Sequence, residues 1–64
     1  MLGEAIRTAR KAVGFSQEKL AEKADLHPNY IGEVERAEKT ISVDALVRVA
    51  KALKVKLAEL VQDI

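Results

Sequence analysis

Residues 17–36 read Gln17-Glu18-Lys19-Leu20-Ala21-Glu22-Lys23-Ala24-Asp25-Leu26-His27-Pro28-Asn29-Tyr30-Ile31-Gly32-Glu33-Val34-Glu35-Arg36. The stretch reads as two short helices joined by a tight turn. Leu20, Ala21 and Ala24 fall on one helical face, and Ile31 and Val34 on a matching face of the second half. Ala21 is the telling residue. Helices that cross steeply must touch closely, and a small side chain at the crossing allows it, with Ile31 as its partner. Asp25 stands where the chain reverses. Aspartate adopts the left-handed conformation at modest cost, and its side chain can bond its own backbone. Leu26 then returns to the core.

His27 and Pro28 open the next element. Proline suits the first position of a helix, because the N–H it lacks would have been unpaired there. His27 is a mediocre cap where Ser, Thr, Asp or Asn would serve better. The outward face then carries Pro28, Asn29, Tyr30, Glu33 and Arg36. This is a helix-turn-helix pattern, in which the second helix is the one that enters a DNA major groove.

Working outward, Leu2, Ile6, Ala9 and Val13 recur at helical spacing and predict a first helix over residues 2–13. Gly14 closes it in the left-handed conformation, and Phe15 seals the end. Ser16 caps the second helix, whose positive end Glu18 favours. Residues 37–40 form a polar loop. Ser42 caps a fourth helix with Asp44 in its first turn and Leu46, Val49, Ala50 and Leu53 as its buried stripe. Lys51 and Lys54 suit its negative end. Val55 and Leu57 lead into a short fifth helix over residues 57–62. No repeat, linker or low-complexity stretch interrupts the chain.

At 64 residues the chain reads as one domain over residues 1–64. A core this small rarely supplies more than roughly 3–5 kcal/mol of net stability. Cysteine is absent, so neither a disulfide nor a thiolate metal site helps. Ala, Leu, Glu, Lys and Arg dominate, which favours helices. No apolar run approaches bilayer-spanning length and no signal peptide is visible, so the cytoplasm is the expected location, without membrane contact. Eleven basic against ten acidic residues leave a net charge of +1, so what matters is whether the basic groups cluster on one face.

The fifth helix carries Leu57, Leu60, Val61 and Ile64 as apolar residues. One reading packs them on their own domain. The other, taken here as the expectation, makes them a two-fold dimer seam, because so small a domain gains stability and a second reading head from it.

Three segments together carry a resemblance: residues 14–21 (Gly-Phe-Ser-Gln-Glu-Lys-Leu-Ala), residues 30–36 (Tyr-Ile-Gly-Glu-Val-Glu-Arg) and residues 42–46 (Ser-Val-Asp-Ala-Leu). They resemble the Cro/repressor (Xre-type) helix-turn-helix family, most of all the controller proteins of restriction–modification systems and the heads of lambdoid phage repressors. The resemblance spans essentially the whole chain. It implies an all-α, five-helix, lambda-repressor-like DNA-binding domain whose helices 2 and 3 form the helix-turn-helix. It also implies a homodimer regulating transcription on a palindromic, double-stranded operator. Two residues depart from the pattern: Asp25 replaces the usual turn glycine, and Ala37 replaces the glycine usual after Glu-Arg. The second departure predicts strain at the exit of the third helix or a one-residue shift of its end.

Within that resemblance, phosphate contacts fall to Ser16, Gln17, His27, Arg36, Lys39, Thr40 and Ser42. Helix N-termini attract phosphate through their N–H groups, and Gln17 matches a phosphate-contacting glutamine that also braces the recognition helix. Thr40 fits a solvated loop equally well. Base reading falls to Pro28, Asn29, Tyr30 and Glu33. Asn29 can bond adenine bidentately and Glu33 can accept from the cytosine amino group. Pro28 can only touch a thymine methyl or shape the approach. Tyr30 serves equally well as a half-buried packing residue. Arg10 and Glu35 match a partly buried ion pair joining the first helix to the end of the third, a structural role. Arg7, Lys11, Arg48, Lys51, Lys54 and Lys56 read as solvated faces.

A second function fits the same fold: a protein-interaction module, antitoxin-like or an adapter, that kept the architecture without specific DNA binding. The low net charge and acidic Glu33, Glu35 and Glu38 keep this second reading open. The discriminator is whether Arg36 and Lys39 share a face with Gln17. An enzyme fits poorly. One histidine, no cysteine and little room for a pocket leave no acid/base pair in a cleft, no metal site, no cofactor and no small-molecule substrate.

Overall fold

The computed structural model describes residues 2–61, which form α1 (Leu2–Ala12), α2 (Gln17–Ala24), α3 (Pro28–Glu35), α4 (Val43–Leu53) and α5 (Leu57–Val61), with no strand among them. Both predicted serine caps are made. Ser16 Oγ accepts from the Lys19 N–H at 3.0 Å, and Ser42 Oγ from the Ala45 N–H at 3.1 Å. Each satisfies one of the unpaired donors at a helix start.

The first four helices share one kind of ending. After α1, the Gly14 N–H donates to the Lys11 carbonyl and the Phe15 N–H to the Arg10 carbonyl. The same pair of bonds recurs after α2 at Asp25 and Leu26, after α3 at Ala37 and Glu38, and after α4 at Lys54 and Val55. This double closure requires a left-handed residue, usually glycine, just beyond the helix. Gly14 has φ +78°, but the other three positions hold Asp25 (φ 58°), Ala37 (φ 61°) and Lys54 (φ 58°). Asp25 therefore adopts the predicted conformation. Ala37 takes the strained one in place, so the end of α3 is not displaced. Phe15, Leu26 and Val55, the residues after three of these turns, pack against the core.

Ile6, Leu20, Ile31 and Val49 form the fully buried centre, one from each of the first four helices. Each such side chain contributes about 1.5–3 kcal/mol relative to exposure. Ala21 is also fully buried where α2 packs on α3 and α4, consistent with a close crossing. Ile41, outside the predicted stripes, closes the core between α3 and α4.

Two expectations are corrected. Val13 is 46% exposed, because the chain unwinds at Gly14 and Phe15 takes the inward place that helical spacing assigned to Val13. Leu60 is not available to a seam: it is 3% exposed, buried where α5 packs on α1 and α4. Val61 is half-buried against the same core, and only Leu57, 38% exposed, still faces outward. Gln62 and Ile64 lie outside the described residues.

Candidate nucleic-acid interface

α3 begins at an unusual cap. His27 Nδ1 accepts from the Asn29 N–H at 3.1 Å, and Pro28 occupies the first helical position. With Nδ1 accepting, neutral His27 carries its proton on Nε2, so the exposed imidazole keeps one donor for an anion. Pro28 and Asn29 are exposed as expected, with Ile31 and Val34 buried on the opposite side. The period of those two core residues fixes which way Asn29 faces.

The far end of α3 is held by a polar network. Arg10 Nε and Nη2 donate to the two Glu35 carboxylate oxygens at 2.7 and 3.1 Å, and Arg10 Nη1 donates to the Phe15 carbonyl at 2.8 Å. Gln17 Nε2 adds a third bond to Glu35, 3.0 Å to Oε1. The Glu35 side chain is 3% exposed and that of Arg10 9%. Burial pushes the Glu35 carboxyl upward, but hydrogen bonds from Arg10 and Gln17, with the charges of Arg10 and Arg7, outweigh it and hold the group below the usual carboxylate range. The network joins α1, the start of α2 and the end of α3. Its orienting effect falls on the helix that carries Asn29.

Around this core of the site the cations are paired. Arg36 meets Glu38 through a two-point fork, Nε to Oε2 at 2.8 Å and Nη2 to Oε1 at 3.2 Å. The fork raises Arg36 above its ordinary value and lowers Glu38 below its own. Both side chains are about half exposed, so the pair holds geometry more than it adds stability. Lys39 Nζ stands 3.6 Å from Glu33 Oε1. Thr40 is exposed in the loop before α4. The pairing of Arg36 with Glu38 and of Lys39 with Glu33 carries no signal in the sequence pattern. Glu38 and Lys39 follow directly on the left-handed turn at Ala37, where the Glu38 N–H donates to the Glu33 carbonyl.

Tyr30 is placed differently from a base reader. It is half-buried against the core, and its hydroxyl oxygen accepts from the Ser42 N–H at 3.2 Å. Of the two readings open for this residue, packing is the one the structure makes. The hydroxyl fixes the start of α4 to α3 and keeps its own proton to donate. Ser16 and Ser42 are both engaged as caps through their oxygens, so each hydroxyl proton is not used in the cap.

Gln17, Glu18, Pro28, Asn29, Gly32, Glu33 and Arg36 line one shallow concavity. Gln17 and Arg36 therefore share a face with Asn29, and Lys39 reaches that face through Glu33. Among the described residues no group of three or more His, Cys, Asp or Glu could hold a metal ion, and no helix is long and apolar enough to cross a membrane.

The helix-turn-helix family model matches residues 6–60. Control protein C.SmaI from Serratia marcescens is 42% identical over 60 residues, which is 94% of this chain and 71% of that protein. Among solved structures, the restriction-modification controller protein C.AhdI from Aeromonas hydrophila superposes with a TM-score of 0.90 at 37% identity, over 92% of this chain and 89% of the other. SinR, a master regulator for biofilm formation from Bacillus subtilis solved in complex with DNA, superposes with a TM-score of 0.89 at 34% identity, over 94% of this chain and 97% of the other.

Proposed function

The chain belongs to the helix-turn-helix family, and on that premise we propose that it acts in the cytoplasm as a sequence-specific, non-enzymatic regulator of transcription. Its third helix enters the major groove of operator DNA. The observation that carries this reading is the common face of Asn29, Gln17 and Arg36. An exposed carboxamide that can read adenine sits beside groups that can seat on the sugar–phosphate backbone.

The roles divide by chemistry. Asn29 reads a base edge. Glu33 accepts from a cytosine amino group, its charge balanced by Lys39, and Pro28 shapes the approach. Gln17, Arg36, His27 Nε2, Thr40 and the capping hydroxyls of Ser16 and Ser42 take phosphates. Tyr30 acts from the edge of the core, donating its hydroxyl proton outward, rather than reading a base.

The regulator works as a homodimer on a palindromic site. Successive major grooves on one DNA face lie about 34 Å apart. The molecule measures 25 × 23 × 20 Å, so two touching copies have centres a little over 20 Å apart. A separation of about 34 Å then needs each α3 to lie roughly 5 Å outside its domain centre, which suits a surface helix. Leu57 is the described residue available to such a seam.

Selecting bound duplexes from a random pool, then measuring fluorescence anisotropy across a salt series, tests the proposal. Asn29→Ala should erase preference between the selected duplex and one altered in its half-sites. Gln17→Ala should weaken both about equally. Sequence-blind binding by the unaltered protein would refute the regulator reading. It would favour a protein-interaction module, which the carboxylate pairing of Arg36 and Lys39 keeps in view.

A further inference from the structure

Gly32 is a costly residue where it stands. It lies inside α3, where glycine is less favourable than alanine because its backbone loses more freedom on folding. Its backbone does not need glycine, since Gly14 is the described glycine with positive φ. Nor does close packing of the backbone demand it. A Cβ built there would meet Arg36 Nη1 at 3.0 Å, Gln17 Oε1 at 3.0 Å and Gln17 Cδ at 3.5 Å, all of them outer atoms of side chains. Gly3 is a contrasting case, because a Cβ there would strike the Val34 and Glu35 carbonyl oxygens where α1 presses on α3.

The two side chains over Gly32 are each anchored from behind. Gln17 is tied through Nε2 to Glu35, and Arg36 through Nε and Nη2 to Glu38. Arg36 Nη1 is the guanidinium nitrogen that the fork leaves over. It sits above bare helix backbone next to the Gln17 carboxamide, inside the concavity that also holds Asn29.

We propose that Gly32 is a positioning residue for DNA binding: its missing side chain leaves room over α3 for Arg36 Nη1, flanked by the accepting Gln17 Oε1, so that Nη1 stands free to donate to one phosphodiester group. This inference rests on the DNA-binding reading above. A methyl at position 32 would stand 3.0 Å from Nη1 and from Oε1, tighter than ordinary contact; the half-exposed Arg36 side chain can give way, so the fold survives while Nη1 leaves its place.

The test compares Gly32→Ala with the unaltered chain, using thermal melting by circular dichroism and anisotropy on a labelled duplex selected by the unaltered protein. We expect an unchanged or higher Tm and affinity about tenfold weaker, the loss of one charge-assisted hydrogen bond. The slope of log K against log salt should fall by about one as a phosphate contact disappears. In a Gln17→Ala, Arg36→Ala background the same substitution should no longer weaken binding. Equal affinity for Gly32→Ala overturns the inference and leaves DNA binding intact. A sharply lower Tm also overturns it, making Gly32 a packing residue. An undiminished effect in the double-alanine background overturns it as well. Failure of the unaltered protein to prefer any duplex removes the premise itself.

Discussion

Replacing Arg10 with methionine tests the network under α3 most severely. Glu35 keeps three donors in the native protein, two from Arg10 and one from Gln17. Arg10→Met leaves only Gln17, and the carboxylate remains buried. A stranded buried charge costs about 3–5 kcal/mol. Protonation sets a ceiling on that cost. Neutralising a glutamate of ordinary pKa near 4.3 costs about 3.7 kcal/mol at pH 7 and about 1 kcal/mol at pH 5. The expected loss at pH 7 is therefore about 3–4 kcal/mol, close to the whole net stability of so small a core. For a domain of this length that lowers Tm by roughly 15–30 °C. The pH dependence supplies a sharper sign. In the native protein the folded-state pKa of Glu35 is depressed, so its contribution is present above the unfolded value and is lost as pH falls through the folded one. In Arg10→Met the folded-state pKa is raised, so the contribution is full below the unfolded value and is lost as pH rises through the folded one. Between pH 4.5 and 7 the variant should lose stability on going to neutral pH, while the native protein does not. Thermal melts in matched buffers measure both. A Tm drop under about 5 °C at pH 7, or parallel pH profiles, would refute a buried, interdependent pair.

Ala37→Gly should stabilise by about 0.5–1 kcal/mol, because Ala37 holds a left-handed φ of 61° that glycine adopts without steric cost; an unchanged urea midpoint would contradict the strain. Leu60→Ala should cost about 2–4 kcal/mol and Leu57→Ala less than about 0.5 kcal/mol within the protomer. Sedimentation equilibrium on Leu57→Asp separates the two roles: dissociation without loss of helicity fits a seam, and an unchanged mass removes Leu57 from one.

What was legible in the chain, and what was not, follows from how each signal arises. The inward phase of Ile31 and Val34 spans enough of α3 to fix its outer face, so Asn29 and Pro28 could be placed from spacing alone. Serine caps are local, and both were readable. The Arg10–Glu35 pair came through family resemblance, because no periodicity joins residues 25 positions apart. Leu60 was misplaced for a related reason. A five-residue helix is too short to establish a phase, and Leu57, Leu60 and Val61 are equally apolar in composition. Tyr30 lies on the rim, where ring and hydroxyl serve core and surface together, so its burial depended on the position of α4. Gly32 carried a readable signal that went unused: a glycine inside a helix with no turn to make implies that something needs the space.

The near-neutral charge of the chain acquires a meaning from this placement. Non-specific DNA binding comes almost wholly from phosphate neutralisation, so a surface dense in unpaired cations holds any duplex. Beside α3, Arg36 and Lys39 already face carboxylates. Such exposed, solvent-screened pairs hold weakly, so a well-placed phosphate displaces or joins them readily, whereas a poorly placed one gains little from the long-range field. On the proposed DNA-binding reading, Glu33 and Glu38 should lower affinity for arbitrary sequence more than for a duplex that meets Asn29, Gln17 and Arg36 at hydrogen-bonding distance. On the proposed reading, the paired carboxylates that argued for a protein-binding module become instead a source of discrimination between duplexes.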